Sequence, residues 1–174
     1  MSNFNHERLW LACTSLRMAR VCLADAYSYS LTRETFGKKL IEHQAIRAKF
    51  SALGQKILPV HAFMESLVAM ADHHHRAMKE GGGAGLQQGD LKYGGLIALL
   101  KVGARRALEE TVREAQQVMG GLGYSRTGKG ARIEQISRDM RVMVIGGGSE
   151  EILSDLAFRQ ERRDLNALQR ESKL

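Results

Sequence analysis

Residues 46–71 read IRAKFSALGQKILPVHAFMESLVAMA, and apolar side chains recur in this stretch at alternating steps of four and three residues. The recurring positions are Ile46, Phe50, Leu53, Ile57, Val60, Met64, Leu67 and Ala71. Because an α-helix turns once every 3.6 residues, these side chains share one helix face of the kind that packs in helical bundles. The phase continues on both sides of Pro59, which we therefore expect to kink the helix without ending it.

The rest of the chain shows the same helical period between glycine-rich segments. The predicted helices run from about His6 to Thr35, Ile46 to Glu80, Leu96 to Met119, Ala131 to Met140, and from Ser149 until the charged run Arg159 to Arg163. Gly37 is expected to stop the first helix, and Gly81 to Gly89 read as a flexible linker. The sequence therefore predicts an all-α fold, an antiparallel (up-and-down) four-helix bundle with long helices, formed by residues 1–174 as a single helical domain.

Composition narrows the class of protein. The chain has 174 residues, a single proline and a formal net charge of +7, which fits one compact domain and favours anionic partners such as phosphates, nucleotides or nucleic acid. Cys13 and Cys22 lie about 13 Å apart on one predicted helix, beyond disulfide reach, as expected of an intracellular protein. No apolar run approaches the ~20 residues of a membrane helix, so no membrane partner is expected.

Several motifs have both a functional and an ordinary interpretation. His73, His74 and His75 are consecutive on a helix and point in different directions, so no metal site is expected. Residues 123–130 match G-x-x-x-x-G-K, but Gly130 replaces the required Ser or Thr, which leaves an ordinary loop or a backbone contact to a pyrophosphate. A basic stretch surrounds the fourth helix without interleaved aromatics, which does not favour nucleic acid. On sequence alone, Glu7 is interpreted as a carboxylate at the start of the first helix, where the helix dipole stabilises it.

Three motifs together resemble acyl-CoA dehydrogenases. Residues 33–44, RETFGKKLIEHQ, are similar to R-x-x-F-G-K-x-L-x-x-x-Q, and residues 117–124, QVMGGLGY, are similar to Q-x-x-G-G-x-G-[YF]. Residues 138–142, RDMRV, and 146–152, GGGSEEI, resemble R-D-x-R-V and the closing E-G-T-S-E-I. The resemblance is to the C-terminal helical domain. It implies that the family's N-terminal helical and middle β domains are absent from this chain, and that the isolated domain is inactive.

The resemblance implies FAD as cofactor and α,β-desaturation of an acyl-CoA thioester as the reaction. The residues it assigns to flavin are Arg33, Thr35, Phe36, Gln44, Gln117, Gly120 and Gly121 at the adenosine-diphosphate portion, with Ser149 and Glu151 at further contacts. Arg8, Gly146 and Gly147 are assigned to substrate. Electron-transfer flavoprotein is the implied electron acceptor, and the implied compartment is the mitochondrial matrix in a eukaryote or the cytoplasm in a bacterium.

The family's commonest catalytic glutamate falls at Gly147, which cannot take a proton. A branch resembling the isovaleryl- and long-chain-specific enzymes places the base at the start of the first helix in an E-R-L context, which here is Glu7-Arg8-Leu9. Glu7 is therefore the expected base, enclosed by apolar neighbours, and positions 7 and 147 are expected to border one cavity. The alternatives are an inactive or DNA-associated relative that keeps the flavin scaffold, and a plain helical interaction module.

The length of the first helix predicts a flavin site that is shared between subunits. Glu7 and Arg33 are 26 residues apart on one predicted helix, and thus about 39 Å apart, too far for one flavin to reach both. We therefore expect a homodimer or homotetramer in which Arg33 serves a neighbouring subunit's cofactor.

Overall fold

The computed structural model describes residues 3–80 and 93–171, and most of these residues are helical. The helices are α1 (Asn3–Thr32), α2 (Gln44–Glu80), α3 (Gly94–Met119), α4 (Ala131–Ile145) and α5 (Glu150–Glu171). The predicted all-α class is confirmed. The predicted linker from Gly81 to Gly89 lies outside the described residues.

Helix α3 is central, because it packs against each of the other four helices. Its buried face includes Leu100, Leu108 and Val112, and α1 contributes Leu16 and Cys22 to the same core. Each fully buried aliphatic side chain of this kind stabilises the fold by about 2 kcal/mol relative to an exposed one. The core therefore fixes the ends of α1 and α3 relative to each other, where the predicted site residues lie.

The apolar seam of α2 packs as its sequence predicts. Leu53, Ile57 and Leu67 are buried, and the other five seam positions are partly buried. Two lysines on α2 form ion pairs across to α3, Lys49 with Glu114 and Lys56 with Glu110. The ion pairs flank the seam and connect α2 to the central helix.

The segment 33–39 departs from the predicted helix. The first helix ends at Thr32 and not near Thr35, because a small antiparallel hairpin follows, with strands β1 (Glu34–Thr35) and β2 (Lys38–Lys39). Phe36 and Gly37 form its turn with φ of +53° and +76°, the pair of positive angles that a tight two-residue hairpin requires. Gly37 was predicted as a stop signal for the first helix, but the turn that it forms with Phe36 was not predicted.

Two predicted helix ends were also too early. Helix α4 continues past Met140 to Ile145, and α5 continues through the charged run to Glu171. The charged run stays helical where opposite charges lie one turn apart, as Arg159 and Asp155 do, with 2.6 Å between the guanidinium and the carboxylate. No helix within the described ranges 3–80 and 93–171 is long and apolar enough to cross a membrane.

Candidate active site

The predicted site residues separate into two groups at opposite ends of α1. Glu7, Arg8, Gly146, Gly147, Ser149 and Glu151 lie near its start, and Arg33, Thr35, Phe36, Gln44, Gln117, Gly120 and Gly121 lie beyond its end. Thirty helical residues span about 45 Å, so the two groups cannot form one compact pocket within a single chain. We call residues 146–148 the glycine loop and the second group the hairpin end.

The glycine loop lies against the first turns of α1. The Nε of Arg8 donates a hydrogen bond of 2.9 Å to the carbonyl oxygen of Gly147. A Cβ added at Gly147 would lie 3.1 Å from Leu11 Cδ1 and 3.3 Å from Arg8 Cγ. Gly147 also has φ of +71°, which side chains rarely adopt. Gly147 is therefore held against the turn that carries Glu7.

Glu7 itself is exposed in this chain. Its neighbours Phe4 and Trp10 are 51% and 63% exposed, so the apolar enclosure expected from the sequence is not formed by the described residues. Arg8 is partly buried, and its guanidinium contacts the Phe4 ring at 5.9 Å and donates to Asn5 Oδ1 at 3.2 Å. The end of the domain that holds Glu7 thus exposes both a carboxylate and apolar surface.

The two carboxylates at the start of α5 are engaged in other contacts. Glu150 forms ion pairs with Arg105 and Arg106 of α3. Hydrogen bonds from its own backbone N–H and from the Ser149 hydroxyl lower the pKa of the Glu151 carboxyl. A lowered pKa makes a weaker base, so Glu151 is poorly suited to abstract a proton.

A buried lysine that the sequence analysis missed lies directly behind the glycine loop. Lys101 of α3 is 1% exposed, and its ammonium donates to the carbonyl oxygens of Val144 at 2.8 Å and Gly148 at 2.9 Å. Burial lowers its pKa to about 8, with further lowering by the charges of Arg105 and Arg8. The available signal was its register, since Lys101 occupies a core position between Ile97 and Leu108.

This lysine predicts a specific pH dependence of stability. The ordinary pKa of lysine is 10.5, so between pH 8 and 10.5 the unfolded chain binds more protons at Lys101 than the folded chain does. Raising the pH across this window should therefore increase the free energy of unfolding of the unmodified chain, relative to Lys101→Met, by roughly 2 kcal/mol. Urea unfolding at both pH values measures the difference, and a parallel response of the two chains would contradict it.

The hairpin end forms a shallow depression of about 600 Å³. Its lining residues are Tyr29, Arg33, Thr35, Leu40, Val118, Met119, Gly120, Gly121 and Leu122. A Cβ added at Gly120 or Gly121 would meet nothing within 4 Å, so the backbone there is open to a ligand. Arg33 is exposed and forms no ion pair with any part of the chain that the structure describes. A guanidinium without an ion-pair partner, beside a backbone that a ligand can approach, suits a phosphate group.

The remaining predicted residues of the hairpin end surround this depression. His43 Nε2 lies 3.3 Å from Thr35 Oγ1, which fixes the hairpin to the start of α2, where Gln44 is exposed. Gln117 is exposed, and its carbonyl oxygen accepts a hydrogen bond from the Gly120 N–H. Phe36 is 96% exposed at the hairpin tip. The structure thus brings these residues to one surface.

The loop 120–130 is explained by packing. A Cβ added at Gly123 would lie 2.7 Å from the Gln116 carbonyl oxygen, and one at Gly130 would lie 1.9 Å from the Leu122 carbonyl oxygen. Both glycines are needed for close backbone approach, which favours the ordinary interhelix loop over a nucleotide-hydrolase motif.

Four arginines of the basic stretch form ion pairs, in which they share three carboxylates. The pairs are Arg126 with Glu134 at 3.7 Å, Arg132 with Asp25 at 2.7 Å, Arg138 with Glu134 at 2.9 Å, and Arg141 with Glu109 at 3.6 Å. Paired arginines have less charge to offer DNA phosphates, so this stretch does not favour the DNA-associated alternative. The side chains of His74 and His75 lie outside the described ones. Among those that are described, no three His, Cys, Asp or Glu residues form a possible metal site.

The chain is similar to known proteins of one family. Residues 1–160 match the model of the acyl-CoA dehydrogenase C-terminal domain. An acyl-CoA dehydrogenase of Alternaria alternata is 52% identical over 166 residues, which cover 95% of this chain and 37% of that protein. The chain therefore spans little more than a third of that relative's length.

Solved structures agree with the fold. Butyryl-CoA dehydrogenase from Megasphaera elsdenii has 25% identity and a TM-score of 0.69, covering 88% of this chain and 35% of that one. A glutaryl-CoA dehydrogenase from Mycobacterium smegmatis, solved in complex with FADH2, is 19% identical with a TM-score of 0.68 over 86% of this chain and 34% of that one. The class that the fold defines is thus an all-helical domain of the kind that these dehydrogenases contain. Within it, the chain belongs to the acyl-CoA dehydrogenase family and contains its C-terminal domain.

Proposed function

We propose that this chain is the C-terminal part of an FAD-dependent enzyme that introduces an α,β double bond into an acyl-CoA thioester, with Glu7 as the base. Membership of the family supports the reaction class. The contact of Gly147 with Arg8 and Leu11 supports the role of Glu7, because it holds the family's commonest base position against the turn that carries this carboxylate. Glu150 and Glu151, the nearby alternatives, are engaged in other contacts.

The proposed reaction breaks one Cα–H bond and one Cβ–H bond of the substrate, and the two hydrogens go to different acceptors. The Glu7 carboxylate takes the α-proton, the electrons of that Cα–H bond form the double bond, and the β-hydrogen leaves with its electron pair as hydride. FAD, when bound, supplies the hydride acceptor. Glu7 is exposed in this chain, so we propose that the domains preceding it in the relatives cover this end and exclude water. The isolated chain is accordingly proposed to be inactive.

The test of this function is reduction of the flavin by substrate. The flavoprotein that contains this chain, mixed with acyl-CoA thioesters of varied length and branching without oxygen, should lose its oxidised-flavin absorbance and release the matching enoyl-CoA. A flavin that stays oxidised with every thioester would contradict the proposal and favour the catalytically inactive relative. Electron-transfer flavoprotein is the proposed acceptor that reoxidises the flavin.

The residues of the hairpin end fit the phosphates of FAD. Arg33 supplies a cation without an ion-pair partner in the described part of the chain, and the backbone at Gly120 and Gly121 is open enough for a phosphate group to approach. Phe36 is 96% exposed at the hairpin tip, which supports contact with a group outside this chain. Because the hairpin end lies about 39 Å from Glu7, we propose a homodimer or homotetramer in which Arg33 binds the flavin of a neighbouring subunit.

Subunit mixing tests the shared site. Arg33→Gln removes a charge-assisted contact and should weaken FAD binding by at least ~10-fold, whereas Arg113→Gln, at an exposed arginine on α3, should not. Mixed subunits carrying Glu7→Gln and Arg33→Gln should recover roughly a quarter of unmodified activity, because half of the dimers then hold one site with neither change. No recovery on mixing would place both residues in the same site and contradict the proposal.

A further inference from the structure

The glycine loop has no strong conformational preference of its own. Gly147 and Gly148 have φ of +71° and +117°, and a glycine backbone adopts many other conformations at similar cost. Its internal contacts are few, with a hydrogen bond of 2.8 Å from the Gly146 N–H to the Val142 carbonyl and one of 3.4 Å from the Gly148 N–H to the Ile145 carbonyl. The position of this loop must therefore be set by side chains from outside it.

Two cations from different helices supply those contacts. From α3, Lys101 donates to the carbonyl of Val144, just before the loop, and to that of Gly148, its last residue. From α1, Arg8 donates to the carbonyl of Gly147 between them. These carbonyls include one at the C-terminal end of α4, which the helix itself leaves without a partner.

The burial of Lys101 is unusual for a lysine. A lysine ammonium is seldom fully buried, since leaving water is costly unless the charge is hydrogen-bonded. Here the two carbonyl oxygens provide that compensation. The side chain extends from the core of the bundle, and its ammonium hydrogen-bonds to the carbonyls of Val144 and Gly148. The positive charges of Arg8 and Arg105 disfavour the protonated form of Lys101. The hydrogen bonds from its ammonium to the two carbonyls offset part of this repulsion.

We propose that Lys101 is a positioning residue that holds the glycine loop against the first turns of α1 and thereby sets the space next to Glu7. Lys101 contacts neither substrate nor flavin and acts through the loop and Arg8. This inference rests on the proposed function for its catalytic consequence, but the loop contact itself is a property of this chain. Displacement of an active-site wall by about 1 Å lowers rates by as much as ~10²-fold without removing a reacting group.

Lys101→Met tests the proposal, because methionine keeps most of the stem and removes every donor. In the flavin-loaded protein we expect kcat to fall at least ~10-fold while flavin content and the KM for acyl-CoA stay within about threefold. In the 174-residue chain, amide hydrogen exchange at Gly146 and Gly148 should accelerate at least ~10-fold. The matched control is Lys49→Met, which removes a lysine that pairs with Glu114 away from the loop, and it should change neither quantity.

Each result supports or overturns the positioning role. An unchanged kcat together with unchanged amide exchange would overturn it. Loss of flavin and a raised KM that accompany a lower melting temperature in both lysine variants would also overturn it. Should Lys101→Met not fold, Lys101→Leu, which likewise removes every donor, is measured against the same two outcomes. If the unmodified protein does not reduce its flavin with any acyl-CoA, the proposed function fails, and the exchange rates alone decide whether Lys101 positions the loop.

Discussion

Replacing Glu7 by glutamine should lower the rate of flavin reduction in a single turnover with acyl-CoA by at least ~10²-fold, while the flavoprotein still binds FAD and thioester. Glutamine keeps the size of the side chain and cannot take the α-proton. Glu7 is exposed on the described chain, so the substitution leaves its core intact, and melting temperature should not change. Stopped-flow absorbance of the oxidised flavin measures the rate.

The matched control for this substitution is Glu150→Gln at the start of α5. Glu150 forms ion pairs with Arg105 and Arg106, so its carboxylate is engaged in other contacts and should contribute little to proton abstraction. The single-turnover rate of Glu150→Gln should stay within a few-fold of the unmodified rate. If Glu150→Gln slowed flavin reduction and Glu7→Gln did not, the assignment of the base would be wrong.

Gly130→Ala should lower the free energy of unfolding of the chain by about 3 kcal/mol or more. The added Cβ would lie 1.9 Å from the Leu122 carbonyl oxygen and 2.5 Å from its carbon, which no rotamer change relieves, so the backbone of loop 120–130 must move. This loop adjoins the hairpin end, and flavin retention in the complete protein should fall with stability. Thermal unfolding should show a decrease of roughly 8 °C.

Gly54→Ala provides the opposite control on the same measurement. Gly54 lies inside α2, and an added Cβ there would meet nothing within 4 Å. Alanine in a helix interior should therefore stabilise the chain by about 0.5–1 kcal/mol. Equal melting temperatures for the two variants would show that loop 120–130 relaxes at no cost and would contradict the packing explanation for Gly130.

The helices could be predicted because their signal is local and periodic. The α2 seam from Ile46 to Ala71 lies on one packed face, as its spacing indicates. Helix ends were less accurate, since they depend on contacts that periodicity does not contain. Thr32 ends α1 because residues 33–39 pair with each other in a hairpin, and only the turn at Phe36 and Gly37 encodes that pairing.

The site was predictable to a different degree at its two ends. Motif resemblance named Arg33, Thr35, Gly120 and Gly121, and the structure brings these four residues to one depression. The motifs did not indicate Lys101. A lysine within an apolar pattern is taken to interrupt the buried helix face unless its carbonyl partners, 43 and 47 residues away, are known. The enclosure expected for Glu7 depends on surfaces that the described residues do not supply.

Exchange of the substrate α-proton with solvent tests most directly the claim that Glu7 is the base. An acyl-CoA whose β-carbon carries no hydrogen cannot transfer hydride, so incubation with the flavoprotein in D2O isolates proton abstraction from flavin reduction. We predict that the unmodified protein and Glu150→Gln incorporate deuterium at the α-carbon, while Glu7→Gln does so at least ~10²-fold more slowly. Deuterium incorporation by Glu7→Gln at the unmodified rate would contradict the account and place the base elsewhere.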